Sequence, residues 1–152
     1  MRLLLINPNT SVHITRRLAA SARLALLPED ELTVLTAPDG PPAVRTPEQL
    51  QEADRNAVAM AAAHEGSHDA IVLAISLDAA VRELRRRLPH LPVIGMTEAA
   101  VLTACLRAER VGLLTLGAGL LPMFEVEWHR SVLPLAWRAT RPSRRSRRSV
   151  TT

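Results

Sequence analysis

The sequence has no lysine and no tyrosine, and its aromatic residues are one phenylalanine and two tryptophans among 152 residues. The core must therefore be built from leucine, valine, isoleucine and alanine. A single cysteine, Cys105, excludes an internal disulfide framework. No apolar run approaches the roughly 20 residues that cross a bilayer, and the run at residues 3–6 is too short for a signal peptide. These absences predict a soluble cytoplasmic protein with no membrane partner.

Short apolar runs alternate with longer stretches of helical periodicity. Predicted strands are 3–6, 32–36, 70–75, 92–95 and 111–116, and predicted helices are 12–26, 47 to about 66, 79–88 and 98–107. This alternation predicts an α/β fold with a parallel sheet and right-handed crossovers. Ligands of such sheets bind at the carboxyl ends of the strands. The relevant strand ends are residues 7–10, 76–78, 96–98 and 115–117.

The most specific local motif follows the first predicted strand and reads Asn7-Pro8-Asn9-Thr10. Two side-chain amides and a hydroxyl that lead into a helix N-terminus can hold a carboxylate or an imide. The alternative is that Asn-Pro-Asn is only a turn and Thr10 a helix cap.

Four motifs in order resemble the Asp/Glu/hydantoin racemase family. They are Leu-Leu-Ile-Asn-Pro-Asn-Thr, Ala-Pro-Asp-Gly-Pro, Asp-Ala-Ile-Val-Leu-Ala and Pro-Val-Ile-Gly-Met-Thr-Glu-Ala-Ala. The resemblance runs from Met1 to about Glu127. It implies two similar α/β lobes with the active site between them, of which this chain has a three-layer first lobe and an incomplete second one. It also implies cofactor-independent racemisation or isomerisation, next to a carbonyl, of an amino acid or a hydantoin-like ring.

Racemisation of this kind needs two acid/base groups, one on each face of the carbon. The resemblance implies two cysteines for this role, because a thiolate is a capable base once its pKa is lowered. The first belongs to the motif Ala-Cys-x-x-Asp, and here Ala74 and Asp78 flank Ile75 in the cysteine's position. The second belongs to a C-terminal half that this chain is expected to lack. We therefore predict no catalytic residue, and whether the chain is an enzyme stays open.

Other polar residues at strand ends match the family's pattern and are predicted to bind substrate. Each has a structural alternative: Asp78 as the N-cap of a helix that begins near Ala79, Glu98 as an acid at a helix start, and Thr115 as a core threonine. Ser76 is an unactivated hydroxyl and a weak base. The predicted substrate-binding residues are Asn7, Asn9, Thr10, Ser76, Asp78, Thr97, Glu98 and Thr115.

Cys105 and the histidines are predicted to have no part in the chemistry. Cys105 lies among apolar residues of a predicted helix, which indicates a buried core thiol. The five histidines are scattered without metal-ligand spacing, so no metal site is predicted, and the resemblance implies no cofactor.

The charge changes sharply near the end of the chain. All 15 acidic residues lie at or before Glu127, whereas residues 130–148 contain seven arginines. We expect a racemase-like domain at 1–127 and a basic, disordered tail at 128–152. The tail could be only solvated, or an arm that binds nucleic acid, or the product of a reading frame lost after Glu127. The simultaneous loss of acids and of family resemblance favours the third, so nucleic acid is not the expected partner.

Together these features predict a truncated member of the racemase family with little or no activity. The alternative function is a non-catalytic protein that binds a small carboxylate or ureide at the rim formed by residues 7–10. We also expect apolar faces around residues 116–124 to be exposed, which would favour self-association into homo-oligomers.

Overall fold

A computed structural model describes residues 1–115 and 118–130. In this part of the chain a four-stranded parallel sheet has the order β2-β1-β3-β4. The strands are β1 (Arg2–Asn7), β2 (Glu31–Thr36), β3 (Ala70–Leu73) and β4 (Val93–Gly95). The helices are α1 (Val12–Arg23), α2 (Pro47–Ala62), α3 (Val81–Arg87), α4 (Met96–Cys105) and α5 (Leu121–Arg130), with a 3-10 turn at Ala118–Leu120. The predicted parallel α/β fold is confirmed.

Helices cover both faces of the sheet. Successive side chains of a strand point to opposite faces, so Ile6 and Asn7 mark the two sides of β1. Ile6 packs in a cluster with Ala57 of α2 and Leu84 of α3. Asn7 hydrogen-bonds Thr15 of α1 on the opposite side. The lobe is therefore three layers thick, as expected.

Local sequence determines where α2 begins. Thr46 accepts a hydrogen bond from the Gln49 backbone N–H at 3.3 Å, and Pro47 occupies the first helical position. Proline is suited to that position because its missing N–H would have no helical partner. The buried stripe of α2 consists of alanines four residues apart, which lets the helix lie close against its neighbours.

The segment between β3 and α3 differs from its prediction. β3 ends at Leu73, and α3 begins only at Val81. Asp78 and Ala80 have left-handed backbone angles, with φ of 51° and 61°. Left-handed residues interrupt a right-handed helix, so the chain cannot start α3 at Ala79.

The predicted fifth strand is wrong for residues 111–115, which form no strand; residues 116–117 lie outside the described part of the chain. Leu113 instead packs against a cluster that contains Leu77, Val101 and Phe124. An apolar run with no strong turn signal can form a strand of a sheet or cover a hydrophobic cluster, and residues 111–115 do the second. Among the described strands, β4 is thus at the sheet edge, and its Ile94 side chain is 41% exposed.

The prediction that Cys105 is a buried core thiol is also wrong, since Cys105 is exposed. The buried residues of α4 are Thr97 and Val101, and Cys105 would continue this stripe one turn further on. The helix ends at that point, where the described residues do not cover the thiol.

Near the end of the chain, α5 continues to Arg130, so residues 128–130 of the predicted tail are helical. The rest of the tail, residues 131–152, lies outside the described part, and its predicted disorder stays a prediction. In the apolar segment before it, Leu121 is half exposed, whereas Met123 and Phe124 are buried. No helix within residues 1–115 and 118–130 is long and apolar enough to cross a membrane.

Candidate functional site

An open cleft of about 860 Å³ lies at the carboxyl ends of β1, β3 and β4. Its polar lining includes four of the predicted substrate-binding residues: Asn9, Ser76, Thr97 and Thr115. The apolar lining comes from α1, from the loops after β2 and β3 and from the segment after α4. The volume is within the usual range for small-molecule sites.

Asn7 is fully buried beneath this cleft and is used within the fold. Its Nδ2 donates to Asn9 Oδ1 at 3.0 Å and to Thr15 Oγ1 at 2.9 Å, and its Oδ1 accepts from the Asn9 backbone N–H. Thr36 Oγ1 on β2 donates to Thr15 Oγ1 at 2.7 Å. This network joins β1, α1 and β2, so the Asn7 amide holds the strand end in shape and does not face the cleft.

Asn9 is the part of the motif that faces the cleft. Its Oδ1 accepts hydrogen bonds from Asn7 Nδ2 and from the Ser11 backbone N–H at 3.0 Å. Its Nδ2 has no hydrogen bond to any described residue, although the side chain is 6% exposed. Thr10 does not line the cleft. Its backbone N–H donates to Pro41 O at 3.1 Å, which ties the loop after β1 to the loop after β2.

The segment after β3 forms one wall of the cleft. Ile75 is 6% exposed and packs with Ala53 and Ala79. Ser76 is exposed, and no described carboxylate or imidazole hydrogen-bonds its hydroxyl. The position where the resemblance predicts a cysteine is therefore a buried hydrocarbon side chain at the edge of the cleft.

Asp78 caps α4, the helix that follows the next strand. Its Oδ1 accepts from the Thr97 backbone N–H at 2.9 Å, and its Oδ2 accepts from the Glu98 backbone N–H at 2.7 Å. The alternative of an N-cap for a helix at Ala79 is wrong, because the residue before α3 is Ala80, which has no capping side chain. Asp78 thus ties the loop after β3 to the start of α4.

Gly95 makes this contact possible. A Cβ atom on Gly95 would lie 2.6 Å from Asp78 Oδ1, closer than real Cβ contacts come. Burial raises the pKa of the Asp78 carboxyl to about 6, although the N–H groups of Thr97 and Glu98 favour its ionised form. Nearby Glu98 raises this pKa further, and Arg85 lowers it.

Thr97 and Glu98 follow β4 but have different surroundings. Thr97 is buried, and its hydroxyl donates to the Ser76 carbonyl, which holds the loop after β3 against α4. Glu98 forms an ion pair with Arg85 at 2.9 Å and does not line the cleft. Arg85 also donates to Val93 O, so the pair fastens α3 to β4 and α4.

Sequence reasoning missed Arg45, which lines the cleft from the loop after β2. Arg45 is exposed, and no described carboxylate pairs with its guanidinium. Among the residues described as lining the cleft, it is the charged one. The signal that could have indicated Arg45 is its place in the loop after β2, because the carboxyl end of β2 lies at the same sheet edge as the other strand ends.

Within residues 1–115 and 118–130, no group of three or more histidine, cysteine or acidic side chains could hold a metal ion. The cleft instead offers a side-chain amide, hydroxyls and a guanidinium on an apolar background. Such a lining is typical of an α/β lobe with a strand-end site for a small polar molecule.

Comparison with known proteins identifies the family. The sequence pattern of the family described as Asp/Glu/Hydantoin racemase matches residues 3–140, and the chain belongs to this family. The predicted resemblance is confirmed. The match continues past Glu127, so the end of the resemblance does not coincide with the change in charge. No curated protein matches the chain.

Two solved structures are similar to this lobe. The allantoin racemase from Pseudomonas fluorescens is 27% identical, with a TM-score of 0.80, over 86% of this chain and 55% of its own. The allantoin racemase from Klebsiella pneumoniae is 26% identical, with a TM-score of 0.76, over 86% of this chain and 53% of its own. The chain therefore spans about half the length of these relatives.

Proposed function

We propose that the cleft binds a small ureide or carboxylate of the amino-acid or hydantoin type, and that this chain by itself racemises such a ligand slowly or not at all. The observation that carries the proposal is the chemistry of the described lining. It contains hydrogen-bonding groups and one guanidinium, but no thiol, imidazole or carboxyl group. A ligand can be held there, whereas none of the described lining groups is suited to take a proton from carbon.

The reaction requires removal of a proton from one face of the carbon and delivery of a proton to the other. Ile75 has no exchangeable proton in the position of the family's first cysteine. Among the described residues, no base hydrogen-bonds the Ser76 hydroxyl to activate it. Both carboxylate oxygens of Asp78 accept backbone N–H groups of α4, which directs this acid away from the cleft.

Ligand binding is supported by the donors that remain. The Asn9 amide N–H₂ and the Arg45 guanidinium suit carbonyl and carboxylate oxygens, because both groups donate hydrogen bonds without competing described partners. The allantoin racemases that share the fold act, by their names, on a ureide with a hydantoin ring. A non-catalytic binding protein is the second candidate function, and the unoccupied Asn9 Nδ2 favours it.

Proton exchange in deuterium oxide tests the catalytic half of the proposal. Purified chain is incubated with allantoin, hydantoins with one substituent, aspartate or glutamate, and deuterium at the stereogenic carbon is followed by NMR beside optical rotation. We expect neither to change above the uncatalysed rate. Exchange or racemisation by the native sequence would contradict the proposal.

Ile75→Cys provides the matched gain-of-function variant. One thiolate can remove a proton and return a deuteron on the same face, so deuterium would enter with little loss of optical rotation. Ile75→Ser is the control for size and polarity, and it should stay inactive because a hydroxyl is a weaker base. Exchange that was equal in the two variants would argue against a base at this position.

Thermal shift and calorimetry test the binding half of the proposal. We expect a ureide or dicarboxylate to raise the melting temperature of the native chain, and Arg45→Ala to weaken its affinity about tenfold or more, as expected for a charge-assisted hydrogen bond. Arg16→Ala is the control, since Arg16 is exposed on α1 and does not line the cleft. Equal affinity of the two variants would refute a role for Arg45, and the absence of any ligand-induced shift would refute the site.

A further inference from the structure

Two histidines lie together at the end of the lobe opposite the cleft. His64 follows α2, and His68 lies just before β3, so both lie near the amino end of that strand. Their ring centroids are 5.9 Å apart, with ring planes inclined by 51°. Both rings are half-buried and are separated by the exposed residues Glu65–Ser67.

The hydrogen bonds around the first ring determine its tautomer. His64 Nδ1 lies 3.0 Å from Met60 O. A carbonyl oxygen can only accept a hydrogen bond, so the neutral ring of His64 carries its proton on Nδ1. The lone pair is therefore on Nε2, which has no hydrogen bond to a described residue.

The tautomer of the His68 ring follows in the same way from its contact with a serine hydroxyl. Ser67 Oγ donates its one proton to His64 O at 2.7 Å. The contact of 2.9 Å between Ser67 Oγ and His68 Nδ1 then requires the proton to be on His68 Nδ1. The Nε2 lone pair of His68 is left without a described partner as well.

From these contacts we propose that His64 and His68 form a binding site for a late first-row divalent cation such as Cu²⁺, Ni²⁺ or Zn²⁺. Histidines that bind metals usually donate their other ring N–H to a carbonyl, carboxylate or similar acceptor, which fixes the tautomer that coordinates. Both rings of the pair already have this arrangement before any metal arrives. Imidazole nitrogen is also the ligand type that suits these three ions.

The spacing of the rings agrees with a shared ion. A metal at about 2.0–2.1 Å from Nε2 lies about 3.2 Å from the ring centroid, so a tetrahedral angle would place the two centroids about 5.2 Å apart. The observed 5.9 Å requires a closure of less than about 1 Å. Gly66, between the two rings, has a φ of +78°, and its neighbours are exposed, so no packed core opposes this adjustment. Water would complete the coordination of the metal, because the described residues provide no third ligand.

Calorimetric titration of the untagged, full-length chain tests the site. Cu²⁺, Ni²⁺ and Zn²⁺ should each bind one equivalent, with Cu²⁺ the tightest, whereas Mg²⁺ should not bind because it prefers oxygen ligands. His64→Ala and His68→Ala each remove a ligand and should weaken binding by more than Ser67→Ala does. Ser67→Ala keeps both ligands but removes the acceptor for His68 Nδ1, and we expect it to cost about ten- to a hundredfold in affinity.

His13→Ala and His90→Ala are the matched controls, because each removes one exposed histidine outside the pair. Both should bind the metal as the native chain does. The inference is overturned if the native chain binds no equivalent, if either variant of the pair binds with native affinity, or if a control variant loses as much affinity. Binding that survived in the double variant of His64 and His68 would assign the metal to another site.

Discussion

Asp78→Asn should change how the stability of the lobe depends on pH. The substitution keeps the size of the side chain, and asparagine tolerates the left-handed backbone angle that residue 78 adopts. It removes the ionisable group and one of the two acceptors for the N–H groups of Thr97 and Glu98. The Asp78 side chain is thereby tested separately from the backbone conformation of the loop.

Burial raises the pKa of Asp78 from 3.8 in the unfolded chain to about 6 in the folded protein. The folded state thus holds the proton more tightly than the unfolded state does. The stabilisation that this proton confers is complete below pH 3.8 and is lost as the pH rises through about 6. A shift of about 2 pH units corresponds to about 3 kcal/mol, and we expect about 1–2 kcal/mol after solvent screening of this partly exposed group.

Urea unfolding of the native chain and of Asp78→Asn at several pH values between 4 and 7 measures this effect. The free energy of unfolding of the native chain, minus that of the variant, should fall by about 1–2 kcal/mol across this range. Glu83→Gln is the control, and its difference in the free energy of unfolding should change with pH in the opposite direction. The reason is that Arg87 and Arg86 lower the pKa of Glu83 on the surface. A difference that stayed flat, or rose with pH, would refute the reasoning about Asp78.

Three further substitutions or reactions test particular contacts. Gly95→Ala should destabilise the lobe by about 1–3 kcal/mol through overpacking against Asp78. The cost should be smaller in an Asp78→Ala background, which a double-mutant cycle with urea unfolding measures. Equal costs in both backgrounds would exclude the clash. Asn7→Leu should cost about 1–3 kcal/mol in the same assay, because it removes the buried hydrogen bonds that the Asn7 amide makes to Thr15 Oγ1 and to Asn9, and a neutral result would mean that the network is dispensable. Cys105 should react with a thiol reagent at one equivalent in the native chain without denaturant, and protection of the thiol until unfolding would contradict its exposure.

Much of the fold follows from local sequence. The apolar run at residues 3–6 and the Pro8 that follows it predict β1 and its end within one residue. Pro47 predicts the start of α2, because a residue without a backbone N–H is tolerated in the first helical turn. These signals involve neighbours in sequence, so they can be interpreted without the tertiary structure.

The candidate site could be predicted less completely. The sequence placed Asn7 and Asn9 together at a strand end, but only the fold shows that Asn7 is buried in a network with Thr15 while Asn9 faces the cleft. Arg45 was missed because it lies in a long loop whose path is set by contacts distant in sequence. The role of Asp78 as a cap for α4 was missed for the same reason, because its hydrogen-bond partners lie 19 and 20 residues further along the chain.

The sequence by itself determined the family, the parallel α/β fold and the presence of Ile75 where the family resemblance predicts a cysteine, because residue identities and their order contain this information directly. Only the tertiary structure decided that residues 111–115 form no strand and cover a cluster with Leu77, and that Cys105 is exposed. Each of these depends on which distant residues compete for the same apolar surface or hydrogen-bonding group. Hydrophobicity and spacing do not distinguish the outcomes of that competition.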